Sequence, residues 1–188
     1  MKKIPDHAKK VFEGVIFDVY HWDQEMFDGT HATFEALKKR DSVTILAVCD
    51  NKIILNHEEQ PGRPAFMALP GGLCERGDEP QESAIRELLE ETGMESDDWQ
   101  QWFVSDPLEH AKIEWSNYFY IARNCKKIKE QSLDAGEKIE VTFATFEEFL
   151  EFRHNPKARN KDLFPILEKA ATDETEKQTL QDLLGITT

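Results

Sequence analysis

Residues 71–94 decide the fold of this chain, and they read GGLCERGDEPQESAIRELLEETGM. Their second half predicts a helix from about Pro80 to Thr92. Proline is favoured in the first turn of a helix, and Gly93 suits the left-handed position that follows the last turn. Apolar side chains at helical spacing predict the face of the helix that packs on the core. They are Ala84, Ile85, Leu88 and Leu89.

The same helix carries a set of acidic side chains. Glu87 lies three residues before Glu90 and four before Glu91, so all three project toward a common side. Carboxylates held together repel one another, which raises their pKa values unless a cation neutralises them. Mg²⁺ prefers oxygen ligands and keeps waters that phosphate oxygens can replace. An isolated glutamate pair would be interpreted as a solvated helix face, but the whole arrangement favours a magnesium site.

Residues next to these carboxylates support that interpretation. Arg86 adjoins Glu87 and is expected to orient its carboxylate through a bidentate contact. Gly71 and Gly72 lack side chains, which lets their backbone carbonyls approach a metal ion or a phosphate.

Apolar runs on both sides of this stretch predict strands, and Asp28-Gly29 and Asp50-Asn51 are hairpin-type turn signals. Thr145 and Glu148 predict a capping box that opens a helix, and helical spacing returns from about Lys161. The order of strands, helix, strands and helices predicts a mixed α/β (α+β) fold with an antiparallel component. The predicted strands occupy residues 11–27 (one or two strands), 32–37, 43–49, 52–55, 65–69, 113–121 and 139–143.

Composition restricts the kinds of partner. The 188 residues suit one domain with a core of its own, and the formal net charge is -14. Such acidity repels nucleic acid and anionic membranes, so neither is expected as a partner. Three dispersed cysteines predict free thiols in a reducing compartment. We expect a cytoplasmic protein, because no apolar run forms a secretory signal or a membrane span.

Residues 72–94 resemble the Nudix box. That pattern is a glycine, five residues, a glutamate, seven residues, and then Arg-Glu-apolar-x-Glu-Glu-x-Gly-apolar. Here Gly72 is followed after five residues by Asp78, and after seven more by Arg86 and the remaining box positions. Asp78 is the one departure, one methylene shorter than the family's glutamate. The resemblance implies a Nudix-type α/β/α sandwich with a mixed sheet.

The resemblance also implies a site. Glu87, Glu90 and Glu91 would bind Mg²⁺ (or Mn²⁺), the Gly71 carbonyl would be an extra ligand, and Arg86 would orient Glu87. Asp78 would support the metal site, often through water in the family, and its shorter side chain is expected to retune that contact rather than abolish it.

Weaker features resemble the ADP-ribose pyrophosphatase branch of the family. There, a glutamine and an arginine ahead of the box lie near the substrate, and the matching residues are Gln60 and Arg63. An acidic residue on a later loop acts as base or metal ligand. Glu137 is the best match, with Asp134 and Glu140 as alternatives. The branch's proline after the box has only Pro107 as a loose counterpart.

The branch carries an N-terminal strand extension that mediates dimerisation and supplies an aromatic residue to stack on the base. We therefore expect an extension at residues 1–41, a Nudix domain at residues 42–188 and a homodimer. Phe34, followed by Arg40, resembles the segment with that aromatic residue, and Trp22 is the other candidate. The alternative for each aromatic is simple packing in a core or interface.

Together these features predict an enzyme that hydrolyses the pyrophosphate bond of a nucleoside diphosphate sugar, such as ADP-ribose, to a nucleoside monophosphate and a sugar phosphate. Other substrates remain open: GDP-mannose, a dinucleoside polyphosphate or NADH. A non-catalytic nucleotide-sensing module is the alternative from another functional class.

Overall fold

The computed structural model describes residues 3–106 and 112–187. The strands are β1 (Lys9–Glu13), β2 (Phe17–Glu25), β3 (His31–Lys39), β4 (Ser42–Cys49), β5 (Lys52–Glu59), β6 (Phe66–Ala68), β7 (Met94–Glu95), β8 (Asp98–Ser105), β9 (Ile113–Glu114), β10 (Asn117–Arg123), β11 (Lys126–Lys127) and β12 (Lys138–Ala144). The helices are α1 (Pro80–Thr92), α2 (Phe146–Glu151), α3 (Phe164–Thr172) and α4 (Glu174–Leu184), with 3-10 turns at Phe152–His154 and Lys161–Leu163.

The central sheet has the order β12-β5-β4-β10-β8, with β6 pairing β5. Strands β4 and β10 run parallel, while β12–β5, β5–β4 and β10–β8 are antiparallel. This mixture confirms the predicted mixed sheet. A second sheet, ordered β1-β2-β3-β9, is formed by the N-terminal segment and two residues that follow β8 in the chain.

Strand β4 is buried on both faces, which explains its unbroken apolar sequence. Its residues Val43 and Ile45 pack with Leu88 of α1. The intervening Leu46 packs on the opposite face, in a cluster that contains side chains of α2, α3 and α4 such as Phe149. Because neighbouring strand residues point to opposite faces, the sheet lies between α1 and the C-terminal helices. The α/β/α arrangement is therefore confirmed.

Helix α1 begins and ends where the sequence predicts. Glu79, just before Pro80, forms a capping box with Glu82 in the first turn, and Gly93 ends the helix with φ 70°. The prediction that Ile85 faces the core was wrong, since its side chain is 44% exposed. The buried stripe runs through Ala84, Leu88 and Glu91, and Ile85 lies about 100° around the helix from Ala84.

Other differences occur where local signals are weak. Strand β8 was not predicted. It lies at an edge of the sheet, and its buried and exposed side chains do not alternate regularly. The C-terminal helical stretch is broken at Asp173, whose side chain accepts hydrogen bonds from the Thr175 and Glu176 amides and caps α4. Strand β5 continues to Glu59, beyond its predicted end at Leu55.

Pro107 lies outside the described residues. Within those residues, no helix is long and apolar enough to cross a membrane.

The N-terminal sheet is attached to the loop ahead of α1 through a buried carboxylate. Asp18 on β2 is 4% exposed, and it accepts hydrogen bonds from Arg76 Nη1 and Nη2 at 3.0 and 2.8 Å. Lys10 Nζ lies 3.1 Å from the same carboxylate. The Arg76 hydrogen bonds hold the pKa of Asp18 well below its usual range. The charged form of Asp18 thus stabilises the docking of the sheet.

We expect Asp18→Asn to lower the free energy of unfolding at pH 7 by about 1–3 kcal/mol, because Arg76 loses a charged acceptor. The depressed pKa means that this contribution is present above the carboxyl's ordinary pKa and is lost as pH falls through its folded value. The stability difference between wild type and variant should therefore shrink in acid. Urea unfolding at pH 7 and at about pH 2.5, which lies below the carboxyl's ordinary pKa, measures it. Asp23→Asn, on the same strand but exposed, is the control, and equal losses from both variants would contradict the prediction.

Candidate metal centre

Glu91, in the last turn of α1, is the most enclosed of the box carboxylates. Its side chain is buried, and Oε2 accepts hydrogen bonds from the Gly71 amide at 2.9 Å and from Asn56 Nδ2 at 3.0 Å. Burial raises the pKa of Glu91 well above its usual value, and the nearby charge of Glu58 raises it further. Two donors on one oxygen fix the carboxylate's orientation.

Residues 70–72 lie against β4, which brings the Gly71 amide to Glu91. The amides of Val43 and Ile45 donate to the carbonyls of Gly72 and Pro70 at 2.9 and 2.8 Å. Gly71 has φ 153°, and a Cβ there would lie 2.2 Å from the Val43 carbonyl oxygen. Only glycine permits this approach of two backbones.

Glu87 lies over the neighbouring glycine. A Cβ on Gly72 would lie 2.5 Å from the Glu87 carboxyl carbon, so the missing side chain makes room for the carboxylate. Arg86 Nη1 donates to Glu87 Oε1 at 3.1 Å and to Glu90 Oε2 at 3.3 Å. Burial raises the pKa of Glu87 to about 7, and the Arg86 charge opposes this rise. Arg86 thus contacts two box carboxylates through one nitrogen, rather than Glu87 alone through the bidentate contact expected from the sequence.

Sequence reasoning missed two residues of the site, Asn56 and Glu58, both on β5. Glu58 is 7% exposed. Burial raises its pKa to about 7, and the charge of Glu137 adds to the rise while Arg159 opposes it. The Arg159 guanidinium lies 3.7 Å from the centre of the Phe66 ring. The only sequence signal was strand alternation that continues past Leu55, and polar side chains concealed it.

A cleft of about 420 Å³ is lined by several residues that the sequence singled out. Gln60 and Arg63 come from the loop after β5, and Glu137 comes from the turn before β12. The charge of Glu137 raises the pKa values of Glu58, Glu87 and Glu91. The structure therefore brings Gln60, Arg63 and Glu137 together, with Glu137 close enough to influence the box carboxylates.

Asp78 and Arg40 have other surroundings. Asp78 accepts a 3.4 Å hydrogen bond from Ser83 Oγ, at the N-terminal end of α1. Asp78 lies thirteen positions before Glu91, which corresponds to about 20 Å along a helix axis. Arg40 donates to the Cys74 carbonyl from Nε and Nη2 at 2.8 and 2.6 Å. Asp78 and Arg40 both line a cavity of about 340 Å³ that is separate from the cleft. Asp78 precedes the helix that carries the glutamates, so the structure does not bring it to them.

The two aromatic candidates pack on each other. Trp22 and Phe34 face each other across β2 and β3, with ring centroids 5.8 Å apart. Lys112 Nζ lies 4.9 Å from the Phe34 ring centre. Both rings are half-buried in the N-terminal sheet, so the structure places them with each other rather than with the box glutamates.

The donor set fits Mg²⁺ or Mn²⁺. Within residues 3–106 and 112–187, no three His, Cys, Asp or Glu side chains converge into a closed metal cage. Mg²⁺ does not require one, because it keeps several waters and is usually bound through one or two carboxylates and phosphate oxygens. Two observations favour such an ion: Glu87 occupies the space left by Gly72, and the buried Asn56 Oδ1 has no hydrogen-bond partner in the structure.

Residues 38–165 match the family model of the NUDIX domain. The chain belongs to the Nudix family. This confirms the resemblance seen in residues 72–94, and the extent of the match goes well beyond the box.

Relatives of this Nudix chain extend the comparison. An ADP-ribose pyrophosphatase of Bacillus subtilis (strain 168) is 31% identical over 147 residues, covering 76% of this chain and 78% of the relative. A methanol dehydrogenase activator of Bacillus methanolicus is 26% identical over 148 residues, covering 77% of this chain and 80% of the relative. The protein is a Nudix pyrophosphohydrolase similar to ADP-ribose pyrophosphatases.

A solved structure shares the whole fold. The crystal structure of an ADP compounds hydrolase superposes with a TM-score of 0.71 at 16% sequence identity, and the match covers 100% of both chains. The common fold includes the N-terminal strands as well as the Nudix sheet.

We expect Gly72→Ala to leave the thermal stability close to wild type while divalent-cation affinity falls about tenfold or more. The new Cβ would displace only the flexible end of Glu87, whereas displaced metal-site groups typically lower affinity by this factor. Calorimetry with Mn²⁺ and a melting curve measure the two effects. Gly71→Ala is the contrasting variant, because its Cβ meets backbone and should lower stability. Unchanged Mn²⁺ affinity in folded Gly72→Ala would show that Glu87 does not hold the cation.

Proposed function

We propose that this Nudix hydrolase cleaves the pyrophosphate bond of a nucleoside diphosphate sugar of the ADP-ribose type, with Mg²⁺ or Mn²⁺ as cofactor. One observation carries the proposal: Glu137 lines a cleft with Gln60 and Arg63, and its charge raises the pKa values of Glu87 and Glu91. Similarity to an ADP-ribose pyrophosphatase supports the substrate class. The products would be a nucleoside monophosphate and a sugar phosphate.

Each charged residue has a distinct part in this proposal. Glu87, Glu90 and Glu91 hold the cation, with the Gly71 carbonyl as a further ligand. When bound, the cation neutralises the diphosphate and stabilises charge that develops on its oxygens. Arg63, which lines the cleft, binds the diphosphate, and Gln60 supplies an uncharged hydrogen-bonding group.

Glu137 acts as the general base. It accepts a proton from the attacking water as the water oxygen forms a bond to one phosphorus. The bond from that phosphorus to the bridging oxygen breaks, and the other phosphate leaves as a monoester. Arg86 positions Glu87 and Glu90 during this step through the hydrogen bonds described above.

The nucleoside would contact the N-terminal sheet. We propose Phe34 and Trp22 as the aromatic surface for the base, because half-buried rings combine a fixed position with an accessible face. Arg40, one residue beyond β3, would contact the substrate from the separate cavity that it lines. Asp78 would influence the cation centre only through the position of α1, given its contact with Ser83.

A homodimer is part of the same proposal. Several large apolar side chains of the N-terminal segment are exposed, which is unusual for a surface that stays in water. They are Val11 (52%), Phe12 (62%), Val15 (86%), Ile16 (43%) and Phe17 (38%). A second copy of the chain is the occupant that we propose for this surface.

The enzymatic test is a panel of substrates with Mg²⁺: ADP-ribose, UDP-glucose, GDP-mannose, NADH, dinucleoside polyphosphates and nucleoside triphosphates. A coupled phosphatase detects the monoester products. We expect ADP-ribose to be hydrolysed fastest and Glu91→Gln to lower kcat/KM by about 100-fold or more, since one cation ligand loses its charge. Glu95→Gln, an exposed position just beyond α1, is the matched control. If the folded protein hydrolyses no compound on the panel, the proposal is wrong.

The oligomeric test uses light scattering after gel filtration. We expect the wild type to be a dimer and Phe12→Glu to shift it to a monomer, because a charge would be buried in an apolar interface. Phe143→Glu makes the same change at a 45% exposed position on β12 and should remain dimeric. A monomeric wild type would refute this part of the proposal.

A further inference from the structure

Strand β5 presents two polar side chains to the layer occupied by α1. Residues two apart on a strand share a face, and Asn56 and Glu58 are 0% and 7% exposed. His57 and Glu59, on the opposite face, are exposed, and Glu59 pairs with Lys138 at 2.8 Å. The two faces of β5 therefore differ near its C-terminal end. The exposed face carries a surface ion pair, and the face toward α1 carries the buried side chains of Asn56 and Glu58.

The enclosed face is directed at the box carboxylates. Asn56 Nδ2 donates to Glu91 Oε2 at 3.0 Å, which places the rest of the amide beside that carboxylate. Glu58 interacts electrostatically with Glu137 and Glu87, and it raises the pKa of Glu91. Glu58 therefore belongs to the same group of carboxylates, although it comes from the sheet rather than from the helix.

Both side chains have acceptor atoms without donors. Asn56 Oδ1 is buried and has no hydrogen-bond partner in the structure. Within the described residues the Glu58 carboxylate has no hydrogen bond or salt bridge, and the nearest cationic influence on it is Arg159. Leaving the buried Asn56 Oδ1 unsatisfied is costly. In the described part of the chain the Glu58 oxygens have no donor either but are not fully buried, so an electropositive partner could reach them as well as Asn56 Oδ1.

We propose that Glu58 is a further ligand of the cation centre, bound directly or through one water, with Asn56 Oδ1 as the neighbouring oxygen donor. Carboxylate and amide oxygens are ligands that Mg²⁺ and Mn²⁺ accept. The centre is then built from two elements, α1 and β5, and the sheet holds part of the cation's coordination shell. This inference rests on the proposed function, because it assigns Glu58 to the same centre.

A protonated Glu58 is the competing explanation. A neutral carboxyl tolerates burial without any cation, and it would leave cation binding independent of the residue. The two explanations therefore differ in what removal of the charge does to Mn²⁺ affinity in the absence of nucleotide.

The experiment measures Mn²⁺ binding to the nucleotide-free protein by electron paramagnetic resonance of free Mn²⁺, together with the rise in melting temperature that Mn²⁺ produces. Glu58→Gln should weaken Mn²⁺ binding about tenfold or more, or remove one bound ion, and should reduce the rise in melting temperature. Glu59→Gln removes the same charge from the next residue of β5 and should bind Mn²⁺ like the wild type. Glu58→Asp keeps a carboxylate and should bind more tightly than Glu58→Gln, which provides a second comparison if the glutamine variant folds poorly.

Glu91→Gln separates the possible failures. If Glu91→Gln weakens Mn²⁺ binding while Glu58→Gln and Glu58→Asp match the wild type, Glu58 is not a ligand and the proposed function stands. If Mn²⁺ binding is unchanged in Glu91→Gln as well, the cation centre itself is wrong. Equal weakening by Glu58→Gln and Glu59→Gln would also overturn the inference, since it would indicate a general effect of charge.

Discussion

Mutual repulsion among buried carboxylates is the constraint on which this site depends. Glu58 and Glu91 are buried and Glu87 is half-buried near them, in a chain that already carries a formal net charge of -14. The protein supplies fixed donors at only a few of their oxygens: the Gly71 amide, Asn56 Nδ2 and the Arg86 guanidinium. Each donor comes from a different element, so the carboxylates keep their positions only while the sheet, the loop and α1 are assembled together.

The local signals of the sequence were sufficient for much of the fold. Pro80 and Gly93 marked the ends of α1, and the apolar run of β4 marked a strand buried on both faces. Asp50 and Asn51, with φ 50° and 60°, form the predicted hairpin turn. These features depend on neighbouring residues in the chain, which is why they could be recognised without knowledge of the tertiary structure. The box positions were recognisable for the same reason.

What escaped prediction depends on contacts between distant residues. Glu58 has the composition of a surface residue, and only the approach of α1 to β5 makes it part of a buried group. Asn56 likewise acquires its importance from a carboxylate 35 positions later in the chain. Conversely, Ile85 fits the apolar pattern of α1 but lies outside the stripe that the sheet covers. The sequence identified the helix that carries the site, but the contribution of the sheet required the structure.

The parallel pairing of β4 and β10 has a consequence for how the chain folds during its synthesis. Ser42 on β4 is hydrogen-bonded to Asn117 on β10, 75 residues further along the chain. Every glutamate of the box leaves the ribosome before β10 does, and the loop between the paired strands must close before their contacts compensate its entropy. The hydrogen-bond partners of Glu91, Asn56 and Gly71, are synthesised before α1. The carboxylate therefore meets its donors within one continuous stretch of chain, whereas the sheet beneath α1 is completed only when the ribosome has released β10.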